Sequence, residues 1–285
     1  MSSPRDKKES VAEAENGHQV LSDDIFLFWA SGSLPCWRVQ IVLEEKNLNG
    51  YKNKLVSLDR NEHKSGAVLK QNPRGQVPSL NFRSVVLNES MATCIFLDSS
   101  KKHEGTRLIP EEHRLQARVL QLTFDVLQLQ KVGSEELIFY AWHTTVERRE
   151  KDVLITRKEN LIDELLKWEM LLTETNKNKL NCVFVTGEQF TLADVFLFPQ
   201  LAILVRYGYP LKLHERLKIY YDNLKERSSV KNSWPPHWNV SSASDLLSDC
   251  AQIYEKRKGN GKETVYSEYD KPVKCTSNEK DTETK

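Results

Sequence analysis

The segment QNPRGQVPSL, at positions 71–80, constrains the fold more than any other part of this 285-residue chain. Proline lacks the backbone N–H that a sheet ladder requires, so Pro78 can stand only at a sheet edge or at the mouth of the strand that follows it. A cis bond between Val77 and Pro78 would turn the Val77 backbone outward, where a peptide-like ligand could pair with it. The segment therefore predicts a strand whose entrance faces a binding site.

Strand and helix patterns alternate on both sides of this segment. Ile25–Phe28 is an apolar run of strand length, and a Gly and Ser turn separates it from a helical pattern with Pro35 at its start and Gly50 at its exit. Further strands are predicted over 54–58, 80–82 and 85–87, and a further helix over 90–101. The order predicts an α/β domain over residues 24–105.

From about residue 108 the pattern becomes helical. Residues 115–129 and 153–172 carry apolar side chains at intervals of three and four, with charges between them. Thr191 stands three residues before Asp194 at the head of a long apolar run, which is a capping-box variant with Asp in place of the usual Glu. These patterns predict an all-helical domain over residues 108–238, with a buried helix that begins at Thr191.

The two ends of the chain differ from the rest in composition. Residues 1–23 and 239–285 are polar and charge-mixed, with too few apolar side chains to offset the entropy lost on ordering, which predicts flexible tails. The start has no apolar core of the signal-peptide kind, and Asp194 interrupts the richest apolar run, 192–205. We therefore expect a soluble protein that is neither secreted nor bound to a membrane.

Charge and cysteine content exclude several classes of function. The 41 Lys and Arg residues balance 40 Asp and Glu residues, and no long block of one sign could follow a phosphate backbone, so nucleic acid is not an expected partner. The five cysteines are odd in number, scattered and never spaced as C-x-x-C, which argues against a disulfide framework. The seven histidines also lack the spacing of metal ligands, so no metal site is expected. A cytoplasmic location fits this cysteine content.

A second candidate binding segment, NES at 88–90, lies between a predicted strand and a predicted helix. The Ser90 hydroxyl and the first amides of the helix can receive a carboxylate, while Glu89 can receive an ammonium group. Alone, a pair of this kind is more often a plain helix start, and a proline such as Pro78 is more often an ordinary edge-strand proline. Only the joint spacing of Pro78 and the Glu89–Ser90 pair predicts that the site recognises the α-amino acid end of a ligand.

The chain resembles the cytosolic glutathione transferases, and most closely their rho class, known from fishes and other aquatic animals. The motifs that carry the resemblance are WASGSLPCWRV at 29–39, HK at 63–64, NPRGQVP at 72–78, NES at 88–90 and TLADV at 191–195. The resemblance spans roughly residues 24–238. It implies a thioredoxin-like domain that binds glutathione, an all-α domain that shapes the site for a hydrophobic electrophile, and a homodimer. Glutathione would be a co-substrate, and no cofactor is implied.

The resemblance also implies roles for individual residues. Val77 and Pro78 match the family's cis-proline dipeptide, and Glu89 with Ser90 match the pair that holds the γ-glutamyl end. Lys64 is a further candidate for the glycyl carboxylate. The positions expected to hold glutathione, from its glycyl end to its γ-glutamyl end, are His63, Gln76, Val77, Pro78, Glu89 and Ser90.

Three side chains of WASGSLPCWRV are candidates to act on the sulfur. In the serine classes of the family the hydroxyl lies five residues before the arginine of the first helix, so the resemblance assigns Ser33 as a hydrogen-bond donor to glutathione sulfur. Ser31 is the alternative donor, and Ser33 could also be a turn serine bound to its own backbone. Cys36 would make the protein a thiol transferase, but it shares a helical face with Val39 and Leu43 and should point into the core.

Two further questions stay open at the level of sequence. The aromatic cluster of Phe139, Tyr140, Trp142 and His143 either lines an electrophile pocket or forms ordinary helix core. The chain could also be a catalytically silent binding or scaffold protein, since a fold does not fix a function. A sulfur donor together with both ends of a glutathione pocket favours an enzyme that conjugates and detoxifies electrophiles.

Overall fold

The structure is a computed structural model, and it describes residues 24–176, 183–241 and 244–259. One segment of the chain, Gln130–Phe139, is a π-helix. The strands are β1 (Ile25–Trp29), β2 (Lys52–Leu55), β3 (Ser79–Phe82) and β4 (Val85–Leu87). The helices are α1 (Leu34–Glu45), α2 (Gly66–Gln71), α3 (Ser90–Ser100), α4 (His113–Leu129), α5 (Tyr140–His143), α6 (Lys151–Thr175), α7 (Leu192–Arg206), α8 (Glu215–Lys225), α9 (Ser228–Asn232) and α10 (Cys250–Gly259).

The four strands form one mixed sheet in the order β2-β1-β3-β4. β1 is parallel to β2 and antiparallel to β3, and β3 is antiparallel to β4. Because side chains alternate along a strand, β1 sends Ile25 and Leu27 into the main core and Phe28 into a smaller cluster with Val56 and Val68. α1 and α3 cover the first face and α2 the second, which is the predicted thioredoxin-like arrangement.

The described chain from His113 onward is helical, as predicted, and it shares a core with the α/β domain. The Trp37 ring of α1 meets the Phe198 ring of α7 edge-on at 5.7 Å. The buried Arg38 reaches across the same boundary and donates from Nη2 to Gln130 Oε1 at 2.8 Å. The predicted fold class is therefore confirmed. Among the helices described, none is long and apolar enough to cross a membrane.

Three elements of the α/β domain differ from the sequence prediction. α1 ends at Glu45 and not near Gly50, because Asn47 has a left-handed backbone conformation with a φ of +55°. The Lys46 side chain turns into the core, where its ammonium group lies 2.9 Å from Asp98. α2 was not predicted, since six residues with one buried side chain, Val68, give no periodic pattern. β2 covers Lys52–Leu55 and not residues 54–58.

The segment 244–259 packs against the helical domain, so the expected C-terminal tail is wrong for this part of the chain. Leu247 and Cys250 are fully buried. The Lys158 ammonium group lies 2.6 Å from the carboxylate of Asp249, which directly precedes α10. The segment's charged residues suggested disorder, but two of them, Asp249 and Arg257, form ion pairs with α6. The predictions for residues 1–23 and 260–285 lie outside the described residues.

Candidate active site

The β1–α1 loop lies beside the Val77–Pro78 bond, at the end of the sheet where β1 finishes. We call this end of the sheet, formed by the C-terminal ends of β1 and β4 and the entrance to β3, the sheet edge. β1 and β3 are antiparallel, with Phe28 opposite Ser79, so the loop after β1 lies next to the residues before β3. The Val77–Pro78 peptide bond is cis, and Asn72 Nδ2 donates to the exposed Gln76 at its carbonyl, at 2.8 Å. The dipeptide has the conformation that the family resemblance implied.

Glu89 and Ser90 reach the same edge because they follow β4, which runs antiparallel to β3. Ser79 Oγ donates to Asn88 Oδ1 at 2.8 Å and fixes the turn into α3. Glu89 is the cap residue of α3, but its carboxylate makes no bond to the helix amides. It lies 3.2 Å from the Arg74 guanidinium, and the two side chains are 70% and 75% exposed. The Glu89 carboxylate is therefore accessible to the ammonium group of a ligand.

His63 and Lys64 approach this edge from the segment after β2, which runs parallel to β1. Lys64 Nζ donates to the Arg74 carbonyl at 2.8 Å. Its side chain lies against Gly75, whose φ of +58° favours glycine. His63 Nδ1 is buried and has no hydrogen-bond partner among the described residues. The nitrogen is enclosed by the protein, so a ligand oxygen would reach it only after the half-buried imidazole ring turns.

Ser33 is the cap residue of α1, and its hydroxyl is not used to cap the helix. Its backbone is extended, and its carbonyl accepts a bond from the Trp37 amide at 2.9 Å. The side chain makes no bond to the helix amides but bonds with the Cys36 thiol. The hydroxyl thus stands at a helix N-terminus, where amide groups and the helix dipole favour an anion.

Cys36 is not placed to react. The side chain is fully buried, as are those of Val39 and Leu43 on the same helical face. Burial raises the pKa of the Cys36 thiol to about 11, although hydrogen bonds from Ser33 and Ala30 oppose this. Because the thiolate is the reactive form of cysteine, these surroundings do not favour a thiol transferase.

His237 is a residue of this site that the sequence did not reveal. Its Nδ1 lies 2.6 Å from Ser31 Oγ, so Ser31 is already engaged. His237 belongs to the 3₁₀ turn Pro236–Asn239, which returns from the helical domain. It packs so closely on Gly32 that a Cβ there would lie 2.5 Å from its Cε1 atom. The aromatic motif WPPHW at 234–238 is a sequence signal for packing, but nothing in it points to the β1–α1 loop.

Three of the four side chains in the cluster at 139–143, those of Phe139, Trp142 and His143, are exposed, so ordinary helix core is the wrong interpretation for them. Phe139 and Trp142 are 40% and 57% exposed and stack with ring centroids 5.3 Å apart. Trp142 also meets Tyr207 at 5.9 Å. Tyr140 instead lies under the Arg157 guanidinium, at 4.1 Å. Their role in an electrophile pocket stays a prediction.

Across residues 24–176, 183–241 and 244–259, no group of three or more His, Cys, Asp or Glu side chains is arranged to hold a metal ion. The side chains at the sheet edge supply hydroxyl, imidazole, carboxylate and amide groups. Their arrangement suits a small anionic peptide that lies across the end of the sheet.

The fold and the site define a thioredoxin-like protein with an added helical domain, and comparisons with known proteins give its family. Residues 32–100 match the family model "Glutathione S-transferase, N-terminal domain". The chain is 45% identical over 231 residues to Glutathione S-transferase A of Pleuronectes platessa, which covers 80% of this chain and 100% of that protein. The chain therefore belongs to the glutathione S-transferase family, as the motifs indicated.

Solved structures agree with this assignment. The crystal structure of a glutathione S-transferase from the Antarctic clam Laternula elliptica is 34% identical, with a TM-score of 0.72, and covers 80% of this chain and 100% of that one. Glutathione transferase F2 from Populus trichocarpa shares the fold, with a TM-score of 0.63 and 22% sequence identity. The match covers 76% of this chain and 100% of that one.

Proposed function

We propose that this protein transfers the thiolate of glutathione to hydrophobic electrophiles, with Ser33 as the hydrogen-bond donor that stabilises the thiolate. The observation that carries the proposal is the position of Ser33, whose hydroxyl makes no bond to the amides of α1 and which stands at the sheet edge that also holds the cis dipeptide. Glutathione would bind along this edge as a co-substrate. The residues proposed to hold it are His63 and Gln76 at the glycyl end, Val77 and Pro78 in the middle, and Glu89 and Ser90 at the γ-glutamyl end.

The energy required of Ser33 is modest. A thiol with a pKa of about 8.5 is about 3% ionised at pH 7, and half ionisation needs a shift of about 1.5 units, or about 2 kcal/mol. A hydrogen bond to a charged group contributes about 1.5 to 3 kcal/mol, and a helix N-terminus about 0.3 to 1 kcal/mol. One hydroxyl at the start of α1 is therefore sufficient to bring the bound thiol to half ionisation at pH 7.

The bond between Ser33 and Cys36 does not oppose this role. A neutral, buried thiol is a weak hydrogen-bond acceptor, whereas a thiolate is charged and accepts a stronger bond. We expect the Ser33 hydroxyl to turn from Cys36 to the glutathione sulfur when glutathione binds.

An exposed aromatic surface could receive the electrophile. It comprises Phe139, Trp142 and Tyr207, which contact one another in sequence. Tyr207 directly follows Arg206, whose guanidinium lies 5.2 Å from the Trp238 ring, beside His237. This series of neighbours leads from the aromatic surface towards the β1–α1 loop, and we expect a flat apolar electrophile to bind on that surface.

Conjugation of glutathione to a chlorinated nitrobenzene tests the proposal. We expect turnover by the wild-type protein, and Ser33→Ala should lower it about tenfold to a hundredfold near neutral pH while glutathione affinity changes little. The matched control is Ser99→Ala, an exposed serine of α3. A wild-type protein that binds glutathione without turnover would be a silent scaffold. Activity lost only in Cys36→Ala, with a mixed disulfide to glutathione, would make it a thiol transferase.

We also propose that the protein works as a homodimer. Two exposed apolar surfaces support this: Phe124 and Leu127 on α4, and Val85 and Val86 on β4, the edge strand of the sheet. A second copy that covered them would remove an exposed edge and its apolar side chains from water. Sedimentation should give twice the chain mass, and Phe124→Glu should shift the protein towards a monomer. A wild-type protein that sediments as a monomer would contradict the proposal.

The cytosol is the proposed setting for this activity. The described cysteines Cys36, Cys94 and Cys250 are buried free thiols, which suits a reducing compartment in which glutathione is also reduced.

A further inference from the structure

The contact between Ser31 and His237 is separate from the hydrogen bond that Ser33 is proposed to donate to the sulfur. Ser31 Oγ lies 2.6 Å from His237 Nδ1, within the loop that leads to Ser33. The imidazole also touches the backbone of Gly32, where any side chain would collide with it. A glycine with a φ of +78° thus lets an imidazole from the far end of the helical domain lie against the sulfur-binding loop.

The imidazole is held in place from several sides. Trp37 Nε1 of α1 donates to Ser233 Oγ at 3.0 Å, which anchors the start of the segment. The Trp238 ring packs edge-on against Trp37 at 5.4 Å. Arg206 Nη1 donates to the Trp238 carbonyl at 3.3 Å. Contacts on both sides of His237 therefore fix the position of its ring relative to the β1–α1 loop.

The charged surroundings of His237 favour a neutral imidazole in the ligand-free protein. Burial and the nearby Arg206 guanidinium lower the pKa of His237, and the Asp59 carboxylate opposes them. A neutral imidazole with its hydrogen on Nε2 can accept a hydrogen bond from the Ser31 hydroxyl at Nδ1. In that arrangement the Ser31 oxygen has lone pairs left to accept a further hydrogen bond.

Ionisation of glutathione leaves a proton that Ser33 cannot take, because Ser33 donates its own hydrogen to the sulfur. We propose that His237 accepts this proton through Ser31. The S–H bond breaks and its proton passes to Ser31 Oγ, while the Ser31 hydroxyl proton passes to His237 Nδ1. Ser31 ends neutral, the sulfur becomes a thiolate and the imidazole becomes an imidazolium, so charge is conserved. This inference rests on the proposed function.

The resulting ion pair stabilises itself. The thiolate's negative charge favours the imidazolium, and the imidazolium's positive charge favours the thiolate. His237 is thus a positioning and proton-holding residue that acts through Ser31. A structural latch would hold the same segment in place but would not retain a proton.

A proton count on glutathione binding separates these two roles. The enthalpy of binding, measured near neutral pH in buffers of different ionisation enthalpy, gives the protons released, and the ultraviolet absorbance of the thiolate gives the thiolate formed. For the wild-type protein we expect the number of protons released to be about half the number of thiolates formed or less, because His237 retains the other protons. For His237→Gln, whose amide oxygen can still accept from Ser31, we expect the two numbers to be equal.

Ser31→Ala should behave as His237→Gln does, and His103→Gln, an exposed histidine outside the site, should behave as the wild-type protein does. One proton released per thiolate in the wild-type protein would overturn the inference even if no variant folds, and would leave the proposed function intact. Absence of any thiolate in the wild-type protein would overturn both.

Discussion

Replacing Glu89 and Ser90 together with alanine is expected to weaken glutathione binding by about 2 to 4 kcal/mol, or about 30-fold to 1,000-fold. The two side chains should hold the two charges of the γ-glutamyl end. The exposed pair between Glu89 and Arg74 should not compete strongly with the ligand, because exposed ion pairs contribute about 0 to 1 kcal/mol. Titration calorimetry with reduced glutathione measures the effect.

The matched control for this pair is Ser99→Ala with Glu111→Ala, two exposed positions away from the sheet edge. Its affinity should equal that of the wild-type protein, and both double variants should keep the wild-type melting temperature. Unchanged glutathione affinity in the Glu89 and Ser90 variant would remove these residues from the site.

Asp194→Ala is expected to lower the free energy of unfolding by about 2 to 4 kcal/mol, because it leaves two buried amides without a partner. The Asp194 carboxylate is fully buried and accepts from the Val185 amide at 2.9 Å and from the Thr191 amide at 2.8 Å. It also accepts from the Thr191 hydroxyl at 3.0 Å, which completes the predicted capping box. Denaturant unfolding at neutral pH measures the loss.

Neutral pH suits this measurement because burial raises the pKa of Asp194 to about 6, which leaves the carboxylate ionised. Asp194→Asn keeps one acceptor oxygen and should lose less stability than Asp194→Ala. Asp222→Ala, which removes an exposed partner of Lys218, should change the free energy of unfolding by about 0.5 kcal/mol or less. Equal stability of Asp194→Ala and the wild-type protein would contradict the buried cap.

The parts of the fold with local signals could be predicted from the sequence. The Thr191–Asp194 cap, the proline at the entrance to β3 and the periodic pattern of α4 each depend on residues a few positions apart. The family resemblance then brought the site segments together, and the sheet topology places them at one edge. These predictions needed no knowledge of which helix packs on which.

The remaining features depend on contacts between distant parts of the chain. The burial of Lys46, just after α1, depends on Asp98, which lies 52 positions later in the sequence. The segment 244–259 was predicted to be part of a tail because residues 239–285 as a whole are polar and charge-mixed, yet Leu247 and Cys250 are buried. His237 could not be assigned to the site, because Gly32 and the WPPHW motif reveal nothing of each other until the chain is folded.

A pH titration of the thiolate absorbance in glutathione-saturated protein shows whether Ser33 stabilises the thiolate of bound glutathione. For the wild-type protein we expect a bound thiol pKa about 1 to 2 units below the ordinary value of about 8.5, and for Ser33→Ala a pKa restored towards that value. A wild-type pKa at the ordinary value, or an equally lowered pKa in both proteins, would contradict the account.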